Sequence, residues 1–316
     1  MNGEGTDVRV AGYPLPSLLA TNGDPGVSAW RDALPEIVDG LLEEWSLTVS
    51  KPFSPGGSAA WVAPVRDPEG RELVLKVAWA HEEARDEALG MAAWQGRGAA
   101  KVLHSELREQ TSLLLMEQVV PGTPLAQLLT WPERDEVVAG LLRRMWVRPA
   151  DVLPAKQAAT LRPLSHMCAW WADEAQARAD VRAGRGKALL PAEVVERGLS
   201  LMRRLPREWK GEPLLLATDF HPSNVLARGE GEERDWVLID PKPYVGDPHY
   251  DLLQHMFNDP DRLVTEPGAF ADRMAGLTGL DPRRARRWLF ARCVQETGVI
   301  DGAAEAALRL GAGGME

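Results

Sequence analysis

Cysteine is scarce, net positive charge is missing and no long apolar run occurs in this chain of 316 residues, and each shortage removes a class of protein. The two cysteines, Cys168 and Cys293, lie far apart in segments of helical spacing, so neither a disulfide framework nor a cysteine metal site can be built. That usage fits a reducing, cytoplasmic setting. No run of 18 apolar residues is present, so no membrane-spanning helix is expected. Met1 to Pro16 carries acidic residues and no apolar core of the kind a secretory signal needs. With 46 acidic against 36 basic residues the formal net charge is −10, which excludes the basic face of a nucleic-acid binder. An acidic surface suits a cationic small molecule instead. Neither a GxGxxG nor a Walker A motif occurs, and no internal repeat or low-complexity tract is seen. Tyrosine and phenylalanine are few, three and five, against twelve tryptophans, most of which are expected in the core or in pocket walls.

The length exceeds what one compact core usually holds, so two lobes are expected. Residues 1–27, rich in Gly, Pro and small side chains, read as a loosely held arm. Trp30, Leu34, Ile37, Val38, Leu41, Leu42 and Trp45 recur at helical spacing and predict a helix over 28–45. The period then changes to two. Strands are expected over 46–53, 60–65 and 72–78 as an antiparallel meander, then a helix near 82–95 and two further strands near 101–105 and 112–116. Pro121-Gly122-Thr123-Pro124 marks a hinge. Beyond it the chain is mainly helical, with helices over 164–178, 191–205 and 281–294, the last opened by Asp281-Pro282. Residues 213–217 and 225–227 read as a strand pair around a polar loop, with a short buried strand at 236–239. The fold class is therefore α+β. A nucleotide-binding N-terminal lobe spans 28–118, with a five-stranded antiparallel sheet and one helix, and a larger, mainly helical lobe over 119–316 carries the catalytic loop and the acceptor site.

The densest chemistry lies in Asp219-Phe220-His221-Pro222-Ser223-Asn224, followed by Ile239-Asp240. An aspartate, four residues and an asparagine is the spacing of a kinase catalytic loop. Transfer to a hydroxyl needs a carboxylate that orients the hydroxyl and takes its proton, and hard oxygen ligands for Mg²⁺. Asp219 fits the base, and Asn224 and Asp240 fit the metal ligands. Lys76, inside the apolar run Leu73-Val74-Leu75-Lys76-Val77, is costly to bury unless paired. A lysine there holds the α- and β-phosphates of ATP, oriented by a helix carboxylate. Glu87 is chosen for that partner because Gly90, Met91 and Trp94 follow at helical spacing; Glu83, one turn earlier, is the alternative. Gly56, Gly57 and Ser58, in the loop 54–58, let backbone amides approach phosphates, although alone the loop is an ordinary hairpin connection. Backbone groups of Glu117 and Val119, where an apolar strand meets the hinge, are expected to face an adenine edge. Asp251 reads as a helix cap that braces the catalytic loop and is also carried as an acceptor contact.

These residues resemble the aminoglycoside phosphotransferase and choline-kinase-like superfamily, closest to its streptomycin 6-phosphotransferase and hydroxyurea phosphotransferase group. The resemblance rests on the stretch from Pro213 through Asp219 to Asn224 and on Ile239-Asp240-Pro241-Lys242-Pro243 with Val245-Gly246-Asp247-Pro248 and Asp251-Leu252. Gly90 to Ala100 and Leu114 to Leu125 support it, and the similarity runs over roughly residues 28–305. It implies a bilobal fold like that of eukaryotic protein kinases, ATP and Mg²⁺ as cofactors, and a small hydroxyl-bearing acceptor. The group usually carries His-Gly or His-Trp before the catalytic aspartate, where this chain has Ala217-Thr218. A guanidinium-bearing aminoglycoside would call for pocket carboxylates, for which Glu296 and Asp301, or Asp173 and Glu174, are candidates. His166, Trp170 and Trp171 could line the pocket, and His221 braces its own loop. Alternatives are a hydroxyurea or metabolite kinase of the same fold and, from another class, a regulatory nucleotide-binding pseudokinase, which Ala217-Thr218 favours.

Overall fold

The computed structural model describes residues 8–313, which form two compact units, 8–96 with 100–120 and 97–99 with 121–313. In the first unit a small hairpin, β1 (Arg9–Val10) and β2 (Tyr13–Pro14), and a short helix α1 (Ser17–Thr21) precede α2 (Pro25–Glu44). Asp24 opens α2 by accepting from the N–H groups of Gly26 and Val27 at 2.7 and 3.2 Å, with Pro25 in the first turn. The cap starts the helix three residues before the apolar stripe alone suggests. Val27, Trp30, Leu34, Val38 and Leu41 form its buried face. The arm expected over 1–27 is packed from residue 8 onward, with Val10 and Leu19 buried in the same core; residues 1–7 lie outside those described.

Five strands follow in the order β3-β4-β5-β7-β6: β3 (Thr48–Val49), β4 (Ala60–Arg66), β5 (Glu72–Trp79), β6 (Val102–Arg108) and β7 (Thr111–Glu117), all antiparallel. Helix α3 (Glu82–Trp94) comes between β5 and β6. The expected five-stranded sheet with one helix is therefore present, with β3 cut to two residues where a longer strand was expected. Trp61, Ala63, Leu75, Val77 and Leu113 make the centre of the core. Burying each large side chain here contributes about 1.5–3 kcal/mol. Gly56 adopts φ +75°, and a Cβ there would meet Pro16 Cβ at 2.6 Å. Packing against the first residues therefore accounts for this glycine without any ligand.

The second unit opens with β8 (Pro121–Pro124) and α4 (Leu125–Leu128), then α5 (Trp131–Met145), α6 (Pro149–Val152), α7 (Ala155–Ala158), α8 (Leu164–Gly184) and α9 (Ala192–Glu208). Four short strands follow, β9 (Leu214–Leu216), β10 (Val225–Arg228), β11 (Asp235–Leu238) and β12 (Tyr244–Gly246), and then α10 (Leu252–Phe257), α11 (Pro260–Thr265), α12 (Pro267–Thr278), α13 (Pro282–Gln295) and α14 (Ala303–Ala312). The two segments expected to pair do not: β9 pairs with β12, while β10 lies between β11 and β8. The loop between β9 and β10 thus passes from one sheet to another, which leaves it anchored at both ends by different partners. Helix α13 packs on α9 and α12, and at Gly198 a Cβ would lie 2.4 Å from Val294, so only glycine permits that approach. Asp135 on α5 is buried and joins three helices, taking His255 Nε2 of α10 at 2.8 Å, Arg262 of α11 at 3.0 Å and Arg273 of α12 at 2.7 Å. Burial pushes its carboxyl up, but His255 and Arg273 outweigh that and hold it below the usual carboxylate range. Among the described residues no helix is long and apolar enough to cross a membrane.

Candidate active site

In the first unit, Lys76 lies mid-strand in β5, opposite Val62 on one side and Leu114 on the other. Its Nζ donates to both carboxylate oxygens of Glu87 at 2.7 Å. Lys76 is 8% exposed and Glu87 3%, so the pair is sunk in the sheet-to-helix layer, where an isolated ammonium would be strongly disfavoured. Glu87 is the carboxylate that the fold turns to the sheet; the side chain of Glu83 lies outside what is described. Gly57 has room around it, its nearest neighbour Ala60 Cβ lying at 3.7 Å, and Ser58 accepts at its carbonyl from Asn22 Nδ2 at 2.8 Å. At the end of β7 the Glu117 N–H is already donated to Lys101 O at 2.9 Å, so it is not available to an adenine edge. Among the described residues no partner is found for the backbone N–H or carbonyl of Val119.

In the second unit the β10–β11 hairpin pairs Val225 with Leu238, so the residues just outside it, Asn224 and Ile239-Asp240, come to the same end. The Ile239 N–H donates to Asn224 O at 2.8 Å, and the Asn224 N–H donates to His221 O at 2.9 Å. Asp219 and Asp240 both lie close enough to His221 for their charges to act on its ring. Burial holds that imidazole below its usual value, against the pull of the two carboxylates. The backbones of Asn224 and Ile239-Asp240 thus meet at one end of the hairpin, and among the described residues no group of three His, Cys, Asp or Glu side chains gathers into a metal cage.

The backbone under this loop is strained and braced. Thr218 has φ +51° and Asp240 φ +54°, the left-handed region that a β-branched residue such as threonine enters only when held there. Asp251 does the holding. Buried at the end of a 3₁₀ turn, it accepts from Ala217 N at 3.1 Å, Thr218 N at 2.8 Å and Trp146 Nε1 at 3.0 Å. Asp251 therefore serves as the brace and not as the acceptor contact also considered for it. Burial pushes its carboxyl up to about 6, with the three donors pulling the other way. Asp247, likewise buried, binds Arg284 Nε and Trp288 Nε1, both at 2.6 Å, and His249 Nδ1 at 2.7 Å, which ties the turn to α13.

The other expected acceptor residues are dispersed. Glu296 is buried against Arg292 at 2.7 Å, and the Arg292 guanidinium lies 4.2 Å from the ring centre of Trp171, so the carboxylate is already neutralised. Asp301 is exposed. Asp173 is exposed and paired with Arg203 at 2.7 Å, and Glu174, His166 and Trp170 are exposed as well. One cation beside Asp219 went unassigned in the sequence. Lys242 places Nζ 2.9 Å from Asp219 Oδ2. Its signal was a lysine between two prolines, two residues after Asp240.

Residues 45–301 match the model of a family described as aminoglycoside/hydroxyurea antibiotic resistance kinase. The chain is similar to hydroxyurea phosphotransferase of Kitasatospora aureofaciens, 34% identical over 273 residues, covering 84% of this chain and 72% of that protein. It is also similar to streptomycin 6-kinase of Streptomyces glaucescens, 30% identical over 275 residues, covering 84% and 83%. Among solved structures, aminoglycoside phosphotransferase APH(3'')-Id of Streptomyces rimosus, in complex with ADP and streptomycin, superposes with a TM-score of 0.52 at 17% identity, over 83% of this chain and 98% of that one. That likeness shows the fold.

Proposed function

Because this chain belongs to the aminoglycoside/hydroxyurea antibiotic resistance kinase family, we propose that it moves the γ-phosphate of ATP onto a hydroxyl of a small cationic acceptor, an aminoglycoside of the streptomycin type. The observation that carries this reading is the gathering of Asp219, Asn224 and Asp240 on one braced loop and hairpin end. Asp219 orients the acceptor hydroxyl and takes its proton. Asn224 and Asp240 would hold Mg²⁺, which when bound neutralises phosphate charge. Lys76, fixed by Glu87, anchors the α- and β-phosphates, aided by the amides of Gly57 and Ser58. On this reading the first unit handles the nucleotide and the second carries the catalytic loop and the acceptor. The net charge of −10 supports a cationic acceptor. The 34% identity to a hydroxyurea phosphotransferase gives hydroxyurea as the second acceptor to test.

ATP consumption by the purified protein with Mg²⁺ should depend on one member of a panel of streptomycin, other aminoglycosides and hydroxyurea. Nucleotide binding without turnover on any acceptor would sink the kinase reading in favour of a regulatory nucleotide-binding protein. Asp240→Ala should raise the Mg²⁺ concentration needed for half-maximal ATP binding by about tenfold or more, the loss of roughly 1.4 kcal/mol. An unchanged Mg²⁺ dependence in that variant removes Asp240 from the metal.

A further inference from the structure

Lys242 is attached to three successive residues of the catalytic loop. Its N–H donates to Ala217 O at 2.9 Å, its carbonyl accepts from Thr218 Oγ1 at 2.5 Å, and its Nζ meets Asp219 Oδ2 at 2.9 Å. Pro241 and Pro243, both buried, flank it and limit the backbone on either side. The lysine is thus aimed from a rigid peptide. Its side chain is 39% exposed and that of Asp219 18%, so the ion pair borders solvent. A surface ion pair of two flexible side chains adds little to stability. Three separate bonds that orient one lysine call for another explanation.

Geometry supplies one. An acceptor oxygen bonded to Asp219 sits about 2.7 Å from the carboxylate, and the phosphorus it attacks lies roughly 3–3.5 Å farther on. A cation on the same carboxylate is then within reach of the oxygens of the phosphoryl group in transit. An ammonium carries three N–H donors, and its charge acts on any anion beside it whether or not each donor is bonded.

We propose that Lys242 is a catalytic cation that binds the transferring phosphoryl group while it holds Asp219 toward the acceptor, with Thr218 as its positioning residue. The inference rests on the phosphotransfer reading above. In the step, the acceptor oxygen forms its bond to the γ-phosphorus as the bond from that phosphorus to the bridging oxygen of ADP breaks. The hydroxyl proton passes to Asp219, and Lys242 stays protonated throughout. Thr218 takes its strained conformation so that its N–H reaches Asp251 and its hydroxyl reaches the Lys242 carbonyl at once.

The test compares wild type with Lys242→Met, Lys242→Arg, Thr218→Val and Thr218→Ser by two readouts. One is kcat on the best acceptor. The other is ADP affinity with Mg²⁺, measured with and without aluminium fluoride, which mimics the phosphoryl group in flight. Lys242→Met should lose about 10²-fold or more in kcat. It should bind ADP within about twofold of wild type, and lose the tightening that aluminium fluoride gives. Lys242→Arg should recover part of that tightening. Thr218→Val should lower kcat with ADP affinity unchanged, and Thr218→Ser should restore it. Lys242→Met that retains both kcat and the fluoride tightening overturns the role of Lys242, and so does a loss of ADP affinity as large as the loss in kcat. A wild-type protein that binds no ADP sinks the phosphotransfer reading itself and this inference with it.

Discussion

Asp219→Asn should reduce kcat by about 10³-fold while leaving ADP affinity within about twofold, because a positioned general base contributes roughly 10²–10⁴-fold. The amide keeps the shape of the side chain and can still accept from Lys242 Nζ, which lies 2.9 Å from the carboxylate in the wild type. What is lost is the charge that takes the acceptor proton. The variant therefore separates chemistry from folding and from nucleotide binding. Steady-state kinetics with the preferred acceptor, together with a nucleotide titration, reads both quantities. Turnover retained within tenfold of wild type would remove Asp219 as the base. A comparable loss in ADP affinity would move it to ground-state binding.

The second large effect belongs to a buried residue under the loop. Asp251→Ala strands the N–H groups of Ala217 and Thr218 and the indole N–H of Trp146 in a buried site. Each unsatisfied buried donor costs about 1–3 kcal/mol, so a loss of about 3–4 kcal/mol is expected, with partial relaxation of the loop keeping it from the full sum. Urea unfolding would measure it, and a loss below about 1 kcal/mol would mean that the loop holds itself. The pH dependence gives an independent check. The folded-state carboxyl is pushed up to about 6, from an ordinary value of 3.8 in the unfolded chain. Between those values the folded protein keeps a proton that the unfolded chain has released. The contribution of this group to stability is therefore complete below about pH 4 and is lost as the pH rises through about 6. The difference in unfolding free energy between wild type and Asp251→Ala should shrink over that interval, and a difference that widened would contradict the assignment. Kinetics adds a third readout: kcat should fall in Asp251→Ala, since the segment that carries Asp219 loses its anchor.

Asp251 and Lys242 also mark where inference from the chain alone stops. Composition and spacing identified the α+β class, the five-stranded sheet with its helix, and the loop from Asp219 to Asn224 with Asp240 behind it. Those features are local: helix caps, strand period, turn residues and ligand spacing act over a few residues, and the polypeptide carries them on its surface pattern. The helix stripe of Trp30, Leu34, Val38 and Leu41 was legible for that reason, and its start was misjudged only because the Asp24 cap outweighed the first apolar position. The tie between Lys76 and Glu87 was half legible. A buried lysine demands a carboxylate, and which of several acidic residues on one helix faces the sheet depends on how the helix is turned against it.

Pairings across long stretches of chain were not legible. Residues 214–216 pair with 244–246 and not with 225–227, so two separate sheets hold the loop between them at its two ends, a partnership set by segments about thirty residues away. Glu296 read as a free pocket carboxylate, and only packing against Arg292 and Trp171 reveals that its charge is already answered. Asp135 gave no signal at all, since its three partners come from three other helices. By itself the sequence determined which residue types stand ready for phosphoryl transfer and at what spacing. Only the tertiary structure decided which carboxylate braces the loop and which is answered by an arginine, because burial and charge pairing depend on neighbours far away in the chain.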